Sequence, residues 1–299
     1  MRHAVPCMLL VMCTLWISLG TLRAQETSPT NKPMLKFLRI DLGNGITMSL
    51  VRIEPGKFMM GSSKTEQDFV RKDLEKERDE LKSQGQDFDI SATPVERQHE
   101  VEISNPFYMG VFEVTQEQFE KVMGENNSAF KGAKLPVDMV SWQDAVRFCK
   151  RLSAEHKRTF DLPTEAEWEY ACRAGSTEAY HHGKSLSKKQ ANVHIWPNDD
   201  GAFVFNGKPT AIGSYEPNRF GLYDMHGNAA EWCKDWYGRD YYLSSPGKDP
   251  QGPEKGSKRV MRGGSWYTIS RDCRSASRHC GEPDGRFGTV GFRVVVRVQ

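Results

Sequence analysis

Asp224 and Glu231 flank the stretch Met225-His226-Gly227-Asn228-Ala229-Ala230. Two carboxylates around a glycine turn, with the carbonyls of Gly227 and Ala229 between them, form a donor set that a hard cation such as calcium accepts. Spacing alone favours the blander reading, an Asx turn with no ligand, because no EF-hand pattern is present. Other chemistries lack their residues. No G-x-G-x-x-G follows a strand and no G-x-x-x-x-G-K-[ST] occurs, so no phosphate cradle is encoded. The eight histidines include no H-E-x-x-H and the cysteines no C-x-x-C, leaving zinc without a ligand set. His181-His182, next to Gly183, reads as a solvated loop pair rather than a metal site. No G-x-S-x-G is present, and Ser265 in Arg262-Gly263-Gly264-Ser265-Trp266 stands in a different context from a nucleophile elbow.

The elements that must position these groups are short. Thr115 with Gln118, Ser141 followed by Asp144, and Thr164 ahead of Glu165 and Glu167 are three helix starts. Gly175 stops the third helix. Residues 46–53 and 58–61 read as an opening hairpin, 101–103 as a strand, and 260–262 with 291–296 as a closing strand pair. Between 175 and 262 no regular helix longer than a turn or two is expected, apart from a short one near Asn228 to Trp232. Residues 64–90 hold 15 charges in 27 positions and predict a solvated surface helix inserted between strands. The tryptophans read as core filling between irregular loops.

The chain has 299 residues and 34.0 kDa, and its 41 Lys plus Arg against 39 Asp plus Glu leave a net charge of +2. Arg2 and Arg23 both precede residue 25, so the rest is neutral, which excludes a dedicated nucleic-acid binder. Hydrophobic residues at 38% exclude a disordered chain, and a mean hydropathy of −0.62 excludes a polytopic membrane protein.

Residues 1–24 carry a short basic start, an apolar run from Met8 to Leu19 and a small residue at Ala24, and read as a Sec signal peptide. The run is shorter than the roughly twenty residues of a membrane span. An uncleaved anchor and, through Cys13, a lipoprotein are the alternatives. Cleavage predicts an exported protein, periplasmic, envelope-associated or secreted, with no transmembrane span. It leaves a short leader at 25–40, one α+β loop-rich domain at 41–299, and five cysteines: Cys149, Cys172, Cys233, Cys273 and Cys280. Five is odd, so in an exported chain at least one thiol is free or pairs between molecules.

Taken in order, Met48 to Gly61, Glu113-Val114-Thr115-Gln116, Pro136 to Trp142, Leu162 to Arg173, Gly221 to Trp232, Arg262 to Trp266 and Gly291-Phe292-Arg293 resemble the formylglycine-generating enzyme family, the sulfatase-modifying factors. The resemblance covers about residues 46 to 296. It implies a compact domain related to the C-type lectin fold, with bound calcium. It also implies an oxidase that converts a sulfatase cysteine to Cα-formylglycine, using oxygen and a copper ion held by two thiolates.

Carried over by position, one calcium site falls on Asp224, Gly227, Ala229 and Glu231, the other on Asn192, Val193, Asp200 and Ala202. The two thiol positions fall on Thr268 and Cys273, with Ser265 retained, and Ala230 replaces a tryptophan of active members. Cys149 and Cys172 match cysteines bridged in some animal members, but the final-strand partner of Cys149 is Val294, so both read as buried free thiols. A threonine hydroxyl does not replace a soft thiolate. The expectation is therefore a binding module or divergent enzyme with a protein or peptide partner. The alternative is an oxidase acting on a sulfatase, in which Cys273 works with another thiol such as Cys280. A sulfoxide synthase relative would need an added iron-binding, histidine-rich helical domain that this chain does not contain.

Overall fold

The computed structural model describes residues 36–83, 85–86, 96–195 and 206–298. The expected signal peptide, most of the leader, Asp200, Ala202 and Trp196 lie outside them.

Local sequence decides the helices. In α2 (Gln116–Met123) the Thr115 hydroxyl accepts the Gln118 N–H while the Gln118 side chain accepts the Thr115 N–H. The same reciprocal box starts α3 (Trp142–His156) with Ser141 and Asp144, and α4 (Glu165–Arg173) with Thr164 and Glu167. Each box satisfies two backbone donors that a helix start leaves orphaned. The third helix ends through Ala174 in a left-handed conformation, with Gly175 following in the same region. Ahead of these three lies α1 (Lys64–Ser83), the charged insertion.

A five-stranded sheet runs in the order β1 (Phe37–Asp41), β2 (Thr47–Ile53), β5 (Phe107–Gly110), β11 (Val295–Arg297), β6 (Phe160–Asp161). A four-stranded sheet follows the order β10 (Val290–Gly291), β7 (Ala230–Trp236), β8 (Arg259–Arg262), β9 (His279–Gly281), with β10 parallel to β7. The third sheet is the pair β3 (Gly56–Met60) and β4 (His99–Ile103).

Four expectations change. The opening hairpin is not formed: β2 pairs with β1 and β5, and β3 with β4, because Pro55 and Gly56 redirect the chain out of the first sheet. The expected leader contains a strand, since β1 begins at Phe37 and buries Ile40. Asn228 to Trp232 is no helix; Asn228 is left-handed and β7 starts at Ala230. The closing pair is also absent, for β8 lies between β7 and β9 while β11 joins β5 and β6.

One core packs Phe119 of α2, Phe148 of α3 and Phe292, with ring centroids 5.3 to 6.2 Å apart. A second gathers Val51, Met109, Trp168, Cys233 and Val260. Trp168 and Trp232 are fully buried as expected, whereas Trp142, Trp236 and Trp266 are only partly so. The irregular 274–278 segment is held by buried arginine instead of a ladder. Arg262 donates to the carbonyls of Ser275, Ala276 and Ser277 and to Glu169, and Arg278 pairs with Glu165.

Candidate functional site

Strand β8 runs into Gly263 and Gly264, both with positive φ (87° and 69°), and the chain then folds back on itself. The Thr268 hydroxyl accepts the Ser265 N–H at 3.0 Å and shares a hydrogen bond with the Ser265 hydroxyl, also 3.0 Å. A single 3-10 turn, Ser270–Cys273, follows and turns the Cys273 sulfur against the Gly264 backbone. A Cβ on Gly264 would stand 2.4 Å from that sulfur, so only glycine fits there. Ser265, Thr268 and Cys273 thus converge, as their shared motif suggests.

The converged groups do not fit a copper ion. Cys273 is fully buried in an apolar cluster with Tyr180, Leu186, Ala191 and Val193, and burial pushes its thiol far above the usual range. Its sulfur faces the Thr268 carbonyl at 3.8 Å, and among the described residues no other thiol lies within bonding distance. Cys280 stands on β9 opposite Val260, only partly buried, its thiol raised by burial. Cys149 shares a core with Val294, and Cys172, pushed up to about 12 by burial, sits beside His226 and Ser275. All five cysteines among the described residues are free. Two soft anionic ligands are what copper(I) needs, and one protonated thiol beside a hydroxyl does not supply them.

Next to this turn the 224–228 loop bends through three left-handed residues, Asp224, Gly227 and Asn228. Asp224 uses Oδ2 to accept the Gly213 N–H at 2.7 Å, while its Oδ1 is buried and unpartnered. Glu113, just ahead of α2, accepts from Asn228 through Oε1 at 3.0 Å and likewise keeps Oε2 buried and unpartnered. Burial raises the Glu113 carboxyl well above its ordinary range, and Asp224 adds to the effect; burial lifts Asp224 itself to about 6. Two neighbouring acids, each keeping one buried oxygen without a partner, carry charge that a cation or a proton would neutralise.

Glu231 is different. Arg293 grips both of its oxygens, at 2.6 and 2.7 Å, and the Trp168 indole N–H donates to one of them at 2.7 Å. The acid expected as a ligand is therefore the anchor of an arginine clamp, and Glu113, which sequence reasoning missed, holds the free oxygen. Among the described residues no three His, Cys, Asp or Glu side chains converge on a point, so a cation here would draw further oxygens from the carbonyls of Gly227 and Ala229. Of the other expected site, Asn192 spends its side chain on Asn206, Lys208 and Asn228 and its carbonyl on the Asn228 N–H. It ties two loops together. Val193 packs beside Cys273.

His181 and His182 are not a solvated pair. Their rings are 3.7 Å apart, and His181 stacks at 4.8 Å on buried His226, whose Nδ1 is bonded to the Cys273 carbonyl. Burial holds His181 near 2 and His226 near 3, so the stack is neutral packing under the turn. His226 lies too far along the chain for spacing to reveal the stack.

The mixed sheets, the double-glycine turn and the acid-lined loop define a class of loop-rich α+β proteins. Treponema denticola variable protein 1 superposes with a TM-score of 0.68 at 25% identity, covering 88% of this chain and 99% of that one. PvdO from Pseudomonas aeruginosa does so with a TM-score of 0.66 at 23% identity, over 87% and 98%. The family profile described as Sulfatase-modifying factor enzyme 1-like domain matches residues 44–298, and the chain belongs to that family. The formylglycine-generating enzyme of Streptomyces coelicolor is 39% identical over 171 residues, 53% of this chain and 51% of the enzyme. The serine/threonine-protein kinase pkn1 of Chlamydia pneumoniae is 34% identical over 277 residues, 83% of this chain but 38% of the kinase. The chain thus spans about half or less of these two relatives.

Proposed function

We propose that this chain is a divergent, exported member of the sulfatase-modifying factor family, a calcium-stabilised scaffold that binds a protein or peptide and does not oxidise a sulfatase cysteine. The observation that carries the reading is Thr268, hydrogen-bonded to Ser265 where active relatives place a thiol, beside a single buried Cys273. Calcium would be held by Asp224 and Glu113 with the carbonyls of Gly227 and Ala229, which supports the loop and leaves chemistry at Thr268 untouched. Export rests on residues 1–24. Kinase activity stays with the Chlamydia relative, most of whose length this chain does not match.

The test is an anaerobic copper(I) titration against a competing chelator, with mass spectrometry of a C-x-P-x-R peptide incubated with the protein in air. No stoichiometric copper and no conversion of the peptide cysteine are expected. Thr268→Cys is expected to gain one-to-one copper(I) binding by completing the pair. Tight binding and conversion by the unaltered chain would replace the scaffold reading with the oxidase.

A further inference from the structure

The charged helix α1 is fastened to the body in two unlike ways. Its N-terminal half carries Glu66, which pairs with Arg274 at 2.7 Å. The same guanidinium donates to the Ser62 hydroxyl and to both oxygens of Glu96, at 2.9 to 3.1 Å. The side chains of Arg274, Glu66 and Glu96 are 4%, 11% and 9% exposed. Val70, the buried residue of the helix, belongs to this half.

The C-terminal half is held through Arg271, which reaches Asp73 at 2.6 Å and Glu77 at 2.8 Å, one helical turn apart. Those acids are 45% and 28% exposed, although the Arg271 side chain is itself only 10% exposed, so the latch opens to water on its acidic side. Leu74 and Leu81 are only partly buried. Arg271 also has Asp272 at 3.4 Å, so it keeps a counter-charge when α1 is away. Ion pairs open to water are weak and screened by salt, whereas enclosed ones are screened much less. Between this half and the body runs a groove of about 280 Å³, with Asp73, Lys76 and Glu77 on one wall and Tyr180, Leu186 and Ile269 on the other.

We propose that α1 is a hinged flap. Its C-terminal half is latched by Arg271 and released by salt, its N-terminal half stays clamped at Arg274, and release opens the groove over the Ile269–Arg271 segment. The latch sits two residues from Cys273 and three from Thr268, so the groove that the flap uncovers, lined by Ile269, Ser270 and Arg271, adjoins the segment that carries the altered thiol positions. This inference stands whether that face binds a partner or performs chemistry.

The test is hydrogen–deuterium exchange of the full chain at about 20 mM and about 1 M sodium chloride, where the Debye length falls from roughly 20 Å to about 3 Å. Exchange of residues 73–83 is expected to quicken roughly tenfold in high salt, with 64–72 and helix α3 unchanged. Arg271→Gln should produce the fast pattern already at low salt. If that variant disturbs the body, α3 reports it, and Asp73→Asn with Glu77→Gln reads the same latch from the exposed side. Equal protection of 73–83 at both salt concentrations, or release of 64–72 together with 73–83, overturns the hinge.

Discussion

Glu113 shows how a side chain becomes functional through what it lacks. Its free oxygen and that of Asp224 are buried without partners, so each acid destabilises the fold unless a cation or a proton arrives. Calcium at a hundredfold excess over its dissociation constant should therefore add about 2.7 kcal/mol, read as a shift in thermal unfolding between calcium and chelator. Glu113→Gln should lose most of that gain and be more stable than the parent in chelator. Asp138 offers a separate titration. Burial raises its carboxyl from 3.8 to about 6, opposed by the Ala129 N–H, and its Oδ2 is unpartnered. Because the folded state binds the proton more tightly, the penalty is full above about pH 6 and disappears as pH falls towards 4. Urea unfolding at pH 8 and pH 5 should show the parent gaining about 1 kcal/mol in acid relative to Asp138→Asn. Asp224 could be named as a candidate because the Gly221 to Trp232 motif that carries it is contiguous in sequence. Glu113 could not, for it meets Asn228 across 115 residues, and nothing in the sequence announces that contact.

Elements divide along the same line. The three capping boxes are four-residue events, and Thr115, Ser141 and Thr164 all perform as their sequences imply. Strand partners are long-range, and the expected hairpin and closing pair failed because β2 and β11 both select β5 from elsewhere in the chain. The double-glycine turn after β8 is an element whose shape dictates chemistry. Gly264→Ala would impose both a left-handed φ of 69° and a methyl 2.4 Å from the Cys273 sulfur. It should cost at least about 2 kcal/mol in denaturant unfolding, and the Cys273 thiol should react faster with a maleimide as its cover loosens. The helix at Lys64–Ser83 was legible from the composition of the charged run. Its docking was not, since Arg271 and Arg274 lie nearly 200 residues away from the acids they hold.

Across the whole molecule, Phe292 joins what the sequence scatters. Its ring meets Phe119 of α2 and Phe148 of α3, and the next residue, Arg293, clamps Glu231 in β7. Phe292→Ala should cost about 3 to 5 kcal/mol in urea unfolding and lower both sheets together in one transition. The family and fold class were legible because seven motifs recur in order. How two sheets share one core was not, because shape complementarity between distant segments leaves no periodic trace. The five free thiols carry a consequence for biogenesis. Four of them are buried, and burial raises all five, so few are thiolates at neutral pH. The folded domain should thus be reached equally well with or without oxidative folding catalysts, and half-buried Cys280 is the place where adventitious mixed disulfides would first form.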